Sequence, residues 1–392
     1  MRQFILLVLL SFTLGQTTPI LAQEAPDVYP YAYQDAWGVV DENRAVVLAP
    51  SLDSIGFFIG LSEDATNTKL AVARQGNSMG ILNQGGQWML KPKYEEVGDW
   101  DYYARDVRWI KNKGKFGLMS FSGKKGKWLI KPRFTAVDEF HGRKLALAIV
   151  SIDGQYGVVN NRGDIVAKCE YDAVKMLDDY SDYPDVKLTK NGEDQYLDAF
   201  GAIQPTEEMR EKEEREDMWD DDVVFEDNSI EEEASQHRTR TEYTQQGQQK
   251  VILEQSSRRS PWKTIEERTV PAGYSIAEIK VQERYMPLRL NAIVLVKGGQ
   301  ISFLGGEGIL NDGATYDRLS WERSARYDEL GLVYRADRLG VVNRDGREMV
   351  PPAFSEIEEY GTLFRLVHPD GYRGFANSQG KVFLPMDVNL GQ

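Results

Sequence analysis

An internal repeat of about 40 residues constrains the fold of this chain more than any other feature. In YGVVNNRGDIVAKCEYDAV, residues 156–174, an Asn-Asn-Arg-Gly corner ends at Gly163, and Cys169, Tyr171 and Val174 follow six, eight and eleven residues later. Four other corners keep these offsets, with proline at the sixth position and an aromatic residue or leucine at the eighth. The matching sets are Gly86/Pro92/Tyr94/Val97, Gly126/Pro132/Phe134/Val137, Gly346/Pro352/Phe354/Ile357 and Arg44/Pro50/Leu52/Ile55.

A second glycine precedes each corner, directly after an aromatic or apolar residue. In the first four copies these glycines lie 42, 37 and 40 residues apart. Such a regular register indicates a tandem array of small units that bury their apolar faces against one another. The pairs are Trp37-Gly38, Met79-Gly80, Phe116-Gly117, Tyr156-Gly157 and Leu339-Gly340, with a weaker terminal copy around Gly374.

Elementary backbone chemistry predicts the shape of one unit. Asn or Asp at the start of the corner and Gly at its end favour a hairpin turn closed by a left-handed residue, so we expect positive φ at Gly86, Gly163, Gly346 and Gly380. The flanking runs of Val, Ile, Leu and Trp favour strands, and the upstream glycine allows a close backbone approach. We expect the proline to end hydrogen bonding on its strand and the following aromatic residue to enter the core.

The fold class predicted is therefore all-β, with repeats at 30–205 and more degenerate ones at 263–386. The first expectation is an elongated or curved solenoid of hairpin units. A closed, propeller-like array is the alternative, and it requires the C-terminal copies to contact the N-terminal ones across the intervening insert.

The unit resembles the WG-repeat family, also called the KWG-repeat family, which takes its name from a pair seen here as Trp37-Gly38. The aromatic-Gly-apolar-apolar-Asp/Asn segment and the later Pro-x-aromatic segment both match. The resemblance covers residues 30–205 well and 290–386 more loosely. It implies a β-repeat domain of the kind often found in exported bacterial proteins, with a role in binding and no general catalytic motif.

Residues 206–262 interrupt the array. The segment 206–235 carries 15 acidic and 3 basic residues, which is most of the net charge of −14 of the whole chain. Its self-repulsion and the polar composition that follows predict a mostly disordered insert with a possible short helix. An acidic, aromatic docking peptide for a basic partner is the alternative.

The N-terminal residues 1–22 have the anatomy of a secretory signal peptide, with Arg2 before an apolar run from Phe4 to Leu14 and Ala22 after it. The run is too short to span a bilayer, and no later run reaches the length of a membrane helix. The only cysteine, Cys169, is far from this segment and offers no lipid anchor there. We therefore expect an exported, periplasmic or extracellular protein without a transmembrane segment.

No catalytic, cofactor or metal site is predicted. His141, His237 and His368 are isolated and lack metal-ligand spacing, and Cys169 is interpreted as a small apolar filler in a proline slot. The segment FLGGEGILNDG, residues 303–313, resembles a phosphate loop in composition alone. Nucleic acid is a poor partner because no basic stripe exists to neutralise phosphates.

Two function classes remain. The favoured one is an exported, non-catalytic binding or scaffold protein whose repeat surface binds a protein or a cell-envelope glycan. The alternative is a secreted or periplasmic hydrolase with a site assembled from dispersed carboxylates, which the sequence leaves open.

Overall fold

The structure is a computed structural model that describes residues 27–61, 69–99, 103–104, 106–122, 125–177, 181–205, 236–257, 260–282, 287–324 and 328–390. The predicted signal peptide lies outside the described residues, as does the acidic segment 206–235. The described chain is almost entirely antiparallel β-structure in eight sheets, which we name A to H. The all-β tandem array expected from the sequence is confirmed.

The N-terminal half contributes part of sheet A and all of sheets B to E. Sheet A contains β1 Val28–Tyr33, β2 Ala36–Asp41 and β3 Val46–Leu52; sheet B contains β4 Ser54–Ile55, β5 Ile59–Gly60, β6 Lys69–Gln75, β7 Ser78–Asn83 and β8 Trp88–Tyr94; sheet C contains β9 Glu96–Val97, β10 Val107–Asn112, β11 Lys115–Ser120 and β12 Lys127–Phe134; sheet D contains β13 Ala136–Val137, β14 Leu147–Ile152, β15 Gln155–Asn160 and β16 Ile165–Tyr171; sheet E contains β17 Ala173–Leu177, β18 Asp185–Lys190 and β19 Glu193–Leu197.

The C-terminal half contributes sheets F to H and returns to sheet A. Sheet F contains β20 Gln236–Tyr243, β21 Gln249–Ser257 and β22 Ser260–Thr269; sheet G contains β23 Ser275–Gln282, β24 Arg289–Lys297 and β25 Gln300–Leu304; a 3-10 turn η1 spans Asn311–Gly313; sheet H contains β26 Arg318–Ser324, β27 Asp328–Arg335, β28 Arg338–Asn343 and β29 Glu348–Phe354; sheet A regains β30 Glu356–Tyr360, β31 Leu363–Val367, β32 Tyr372–Asn377 and β33 Val382–Phe383.

The upstream glycine of each repeat faces a bulge in the next strand. In sheet B, Met79 pairs with Tyr94 and Ile81 with Leu90, so Gly80 opposes a longer stretch of β8 that contains Pro92. A Cβ on any of these glycines would lie 2.6–2.9 Å from the backbone nitrogen of the residue in the proline slot. The prediction of a close approach is confirmed, but the prediction that proline ends the strand is wrong, because pairing resumes two residues later. A bulge accepts proline since the ladder does not use that N–H.

Two structural features explain why glycine occupies these corners. Gly86, Gly163, Gly346 and Gly380 have φ of 70°, 87°, 79° and 84°, which confirms the predicted left-handed turns. Three of them also lie against the preceding sheet, since a Cβ would come within 3.0 Å of Leu129 at position 163, of Phe303 at position 346 and of Met349 at position 380. The corner therefore connects each repeat to the one before it.

Apolar cores join the sheets in an order that differs from the order of the chain. Separate clusters of buried side chains connect sheets F to G, G to H, H to A, A to B, B to C, C to D and D to E. The central cluster contains Tyr31 and Val40 from the N-terminal strands together with Phe354, Phe364 and Phe375 from the C-terminal repeats. The N-terminal repeats thus continue the stack that the C-terminal repeats begin.

Sheet A joins the two ends of the chain. Strand β1 pairs with β32 through Ala32 opposite Arg373 and Tyr33 opposite Tyr372. The ring of Tyr29 stacks on Phe383 with centroids 3.5 Å apart. The first and last repeats therefore share one sheet in the middle of the array, with sheets F and E at the two ends of the series of cores.

The insert prediction is wrong for residues 236–262. This polar stretch contains β20, β21 and the start of β22 of sheet F, instead of disordered chain. Val251 and Leu253 are fully buried in a core shared with Ile293 and Leu295 of sheet G. The buried apolar run of β21 is only three residues long, Val251 to Leu253, so the polar composition around it concealed the strand.

Arg44 is the one corner residue that departs from glycine, with φ of 69°, and it connects the first repeat to the C-terminal tail. Its guanidinium donates to the carbonyl oxygens of Leu384, Pro385 and Val388 at 2.9, 2.7 and 3.1 Å. Burial lowers the pKa of Arg44, which shows that the charge is partly desolvated.

We expect Arg44→Gly to lower the free energy of unfolding by about 1–3 kcal/mol, because three charge-assisted hydrogen bonds are lost while backbone strain is relieved. Urea unfolding followed by tryptophan fluorescence measures this. Asn43→Gly, at the exposed neighbouring position, serves as the control and should change little. A neutral or stabilising Arg44→Gly would show that the side chain does not hold the ends together.

Candidate functional site

The histidines and the cysteine singled out in the sequence lie in or next to sheets A, D and F. His368 is buried, its Nε2 lies 2.8 Å from the carbonyl oxygen of Asn389, and its Nδ1 accepts from the backbone N–H of Asp370. Cys169 lies in β16 of sheet D, and His141 forms a backbone bridge with Leu147 in β14 of the same sheet. Within the described ranges, no group of three or more His, Cys, Asp or Glu side chains is placed to hold a metal ion.

Cys169 occupies the bulge that proline occupies in the other repeats. A Cβ on Gly157 would lie 2.7 Å from its backbone nitrogen, the same relation that Gly340 has with Pro352. Burial raises the pKa of the Cys169 thiol, and the charge of Arg133 opposes that shift. The thiol is therefore neutral near pH 7 and lines a cavity of about 360 Å³ between sheets C and D.

A second cavity, which we name the arginine cleft, has a volume of about 320 Å³ and lies where sheets F, G and H meet. Gly305 and Gly306, which follow β25, form part of its wall, so the glycine-rich segment noted in the sequence does contribute to a cleft. Its charged lining consists of Glu266 and Arg268 from β22, Arg289 from β24, Glu307, and Asp345 and Arg347 from a repeat corner.

Hydrogen bonds fix the base of the arginine cleft and leave its mouth open. The guanidinium of Arg268 is almost fully buried and donates to Glu266 at 2.7 Å and to the carbonyl oxygens of Leu290, Asn291 and Leu304. Arg289 pairs with Asp345 at 3.2 Å. The exposed side chains of Arg347 and Glu307 have no partner among the described residues.

The arginine cleft presents donors and acceptors side by side with no net charge. Guanidinium groups only donate hydrogen bonds and carboxylates only accept them, whereas a hydroxyl group does both. A ligand with several hydroxyl groups can therefore satisfy both kinds of side chain at once. The volume lies at the lower end of the range for small-molecule sites.

A third cavity, which we name the closure cleft, lies between the first repeat, β29 and the last corner. It has a volume of about 320 Å³ and contains two carboxylates, Glu42 and Glu348. Glu42 pairs with Lys381 at 3.0 Å. Glu348 accepts a hydrogen bond from the hydroxyl of Tyr316 at 2.8 Å, and burial raises the pKa of Glu348.

Next to sheet E, the exposed rings of Tyr183 and Phe200 lie together, and Ile203 is exposed three residues further along the chain. Their exposed fractions are 47%, 66% and 71%, and the centroids of the two rings are 5.4 Å apart. Exposed aromatic and aliphatic side chains that lie together are typical of protein contact surfaces.

The family model for the WG containing repeat matches residues 79–115, 120–156 and 156–179. The first and third ranges contain the glycine and the bulge of sheets B and D, and the second contains strand β12, which carries the bulge of sheet C. The chain contains WG repeats within residues 79–179. No match was found among curated proteins.

Solved structures resemble this WG-repeat protein only weakly. A eukaryotic initiation factor shares 9% identity over 94% of this chain and 90% of its own, with a TM-score of 0.29. The dihydro-heme d1 dehydrogenase NirN shares 10% over 91% and 76%, with a TM-score of 0.26. AztD from Citrobacter koseri shares 9% over 91% and 96%, with a TM-score of 0.23. TM-scores this low support no inference about function.

The sequence did not predict the arginine cleft or the closure cleft because the residues that line each cleft are far apart in the chain. The arginine cleft combines residue 266 with residue 347, and the closure cleft combines residue 42 with residue 381. The residues that depart from the repeat pattern could have indicated cavities, since Arg44 lines the closure cleft and Cys169 lines the cavity between sheets C and D. In the described part of the chain, no helix has the length and apolarity needed to cross a membrane.

Proposed function

We propose that this WG-repeat protein is an exported, non-catalytic binding protein and that the arginine cleft binds a cell-envelope glycan. The observation that carries the proposal is the neutral lining of alternating donors and acceptors at the mouth of that cleft. Export is supported by Arg2 and the apolar run from Phe4 to Leu14. The exposed side chains of Tyr183, Phe200 and Ile203 support a protein partner as an additional contact.

The carboxylates of the arginine cleft favour binding over catalysis. Glu266 is held by Arg268 and by the backbone N–H of Leu290, and Asp345 is held by Arg289. Carboxylates that already accept hydrogen bonds from guanidinium and backbone donors have fixed orientations, which suits them to positioning a ligand.

Calorimetric titration of the full chain with soluble N-acetylglucosamine oligomers tests the proposal. We expect saturable binding that Arg347→Ala weakens at least tenfold, which corresponds to about 1.4 kcal/mol. Arg338→Ala, at an exposed arginine outside the cleft, is the matched control and should leave the affinity unchanged. Equal affinities for the two variants, or no binding by the wild type, would contradict a glycan site in this cleft.

A hydrolase is the second candidate, and the closure cleft favours it. Glu348 has the raised pKa that a general acid needs, and Glu42 is a second carboxylate in the same cavity. Incubation with the same oligomers, followed by mass spectrometry, distinguishes the two functions. Cleavage that Glu348→Gln abolishes would replace the binding proposal with this one, and intact oligomers would support binding alone.

A further inference from the structure

The cavity between sheets C and D has apolar walls and a polar rim. Phe134, Val150, Ile152 and Ile165 line its interior, together with the neutral thiol of Cys169. Its volume of about 360 Å³ falls within the range of small-molecule sites. This cavity is separate from the arginine cleft, which lies in the other half of the chain.

Comparison with the neighbouring repeats shows what the cavity lacks. The second residue after the corner is Trp88 in one repeat and Trp128 in the next, but Ile165 in this one. A Cβ on Gly80 would lie 2.8 Å from the indole carbon Cζ3 of Trp88, and a Cβ on Gly117 would lie 2.8 Å from that of Trp128. Each indole ring therefore covers the glycine of its own sheet.

Among the described residues, backbone atoms lie nearest to the equivalent glycine of sheet D. The three atoms nearest to a Cβ on Gly157 all belong to the backbone of β16. At the preceding interface, Trp128 packs edge-on against Tyr94 with centroids 6.2 Å apart, and Phe134 is the counterpart of Tyr94. The shorter Ile165 therefore leaves open a space that an indole ring fills one repeat earlier.

The rim of the cavity is cationic. Arg133 and Lys168 are both exposed, and neither forms an ion pair with a described carboxylate. The third charged residue, Glu170, pairs with Lys190 at 3.3 Å, outside the cavity lining. Since the thiol is neutral, two positive charges face the opening without an opposing negative charge inside.

We propose that this cavity binds a small aromatic carboxylate. The aromatic ring takes the space that the indole of Trp128 occupies at the preceding interface and contacts Phe134, Val150 and Ile152. The carboxylate pairs with Arg133 and Lys168 at the rim. An apolar floor below a cationic rim matches both parts of such a molecule.

Indole-3-acetate is the probe, and calorimetry on the full chain gives its affinity. We expect saturable binding of one molecule per chain, at least tenfold tighter than that of indole, which lacks the carboxylate. The bound probe should also slow alkylation of Cys169, the only cysteine, by iodoacetamide. No saturable binding up to about 10 mM, or equal affinity for indole, would overturn the proposal.

Two variants test the location of the site. Ile165→Trp restores the residue of the neighbouring repeats and should weaken binding at least tenfold without lowering the thermal midpoint. Ile59→Trp, at an exposed isoleucine of sheet B, is its control and should bind normally. Unchanged affinity in Ile165→Trp would overturn the proposal.

Arg133→Gln keeps the test decisive if Ile165→Trp does not fold. It should weaken the carboxylate probe but not indole, whereas Arg162→Gln, at an exposed arginine in the same repeat, should weaken neither. Equal affinities of these two variants for indole-3-acetate would contradict the cationic rim. Failure of this site leaves the proposed glycan site untouched, because the two cavities share no residue.

Discussion

Replacing Gly80 with alanine is expected to lower the free energy of unfolding by about 3 kcal/mol or more. A Cβ at this position would lie within 3.0 Å of the carbonyl oxygen of Leu90, of the nitrogen of Pro92 and of the indole of Trp88. Two of these atoms belong to the backbone of the bulge, so the clash can be relieved only by distorting the pairing of β7 with β8. Urea unfolding followed by tryptophan fluorescence measures the loss.

Gly60→Ala is the matched control for this prediction. Gly60 lies in β5 of the same sheet, and nothing stands within 4 Å of a Cβ placed there. The same chemical change should therefore alter stability by less than about 0.5 kcal/mol. Similar small effects at both positions would show that the glycine of the repeat is not needed for the bulge.

Local features of the unit were predictable because they depend on nearby residues. The positive φ at Gly163 follows from the Asn-Asn-Arg-Gly corner, and the side chain of Asn160 accepts from the backbone N–H groups of Arg162 and Asp164 as such a turn requires. The proline slot was visible as a fixed offset, but the bulge around it was not. The bulge is an excess of two residues on one strand relative to its partner strand. The offset counts positions along one strand only, so it does not reveal this excess.

Long-range features escaped prediction for the same physical reason. The pairing of Tyr33 with Tyr372 joins residues whose neighbours carry no local sign of a shared sheet. Sheet F was missed because its buried residues, Val251 and Leu253, stand among charged and amide side chains. The arginine cleft needs that sheet, since Glu266 and Arg268 belong to β22, and it could not be placed without it.

A covalent bond between β1 and β32, the strands of sheet A that join the two ends of the chain, is also expected to have a large effect on stability. Tyr33 and Tyr372 are directly opposite in the register of β1 and β32, and their ring centroids are 4.6 Å apart. Opposite residues of an antiparallel pair have Cβ atoms close to the separation that a disulfide needs. A bond between residues this far apart in sequence should raise stability by up to about 5 kcal/mol, because it constrains a long unfolded loop.

The most direct measurement of the sheet shared by the two termini is peptide mapping by mass spectrometry of the variant Tyr33→Cys/Tyr372→Cys in a Cys169→Ser background after mild oxidation. We expect an intrachain disulfide and a thermal midpoint that falls when the bond is reduced. The pair Tyr33→Cys/Tyr156→Cys, with its second position in sheet D, should form no intrachain bond. If the first pair forms only intermolecular disulfides or none, the first and last repeats do not share a sheet, and the order of sheets described above is contradicted.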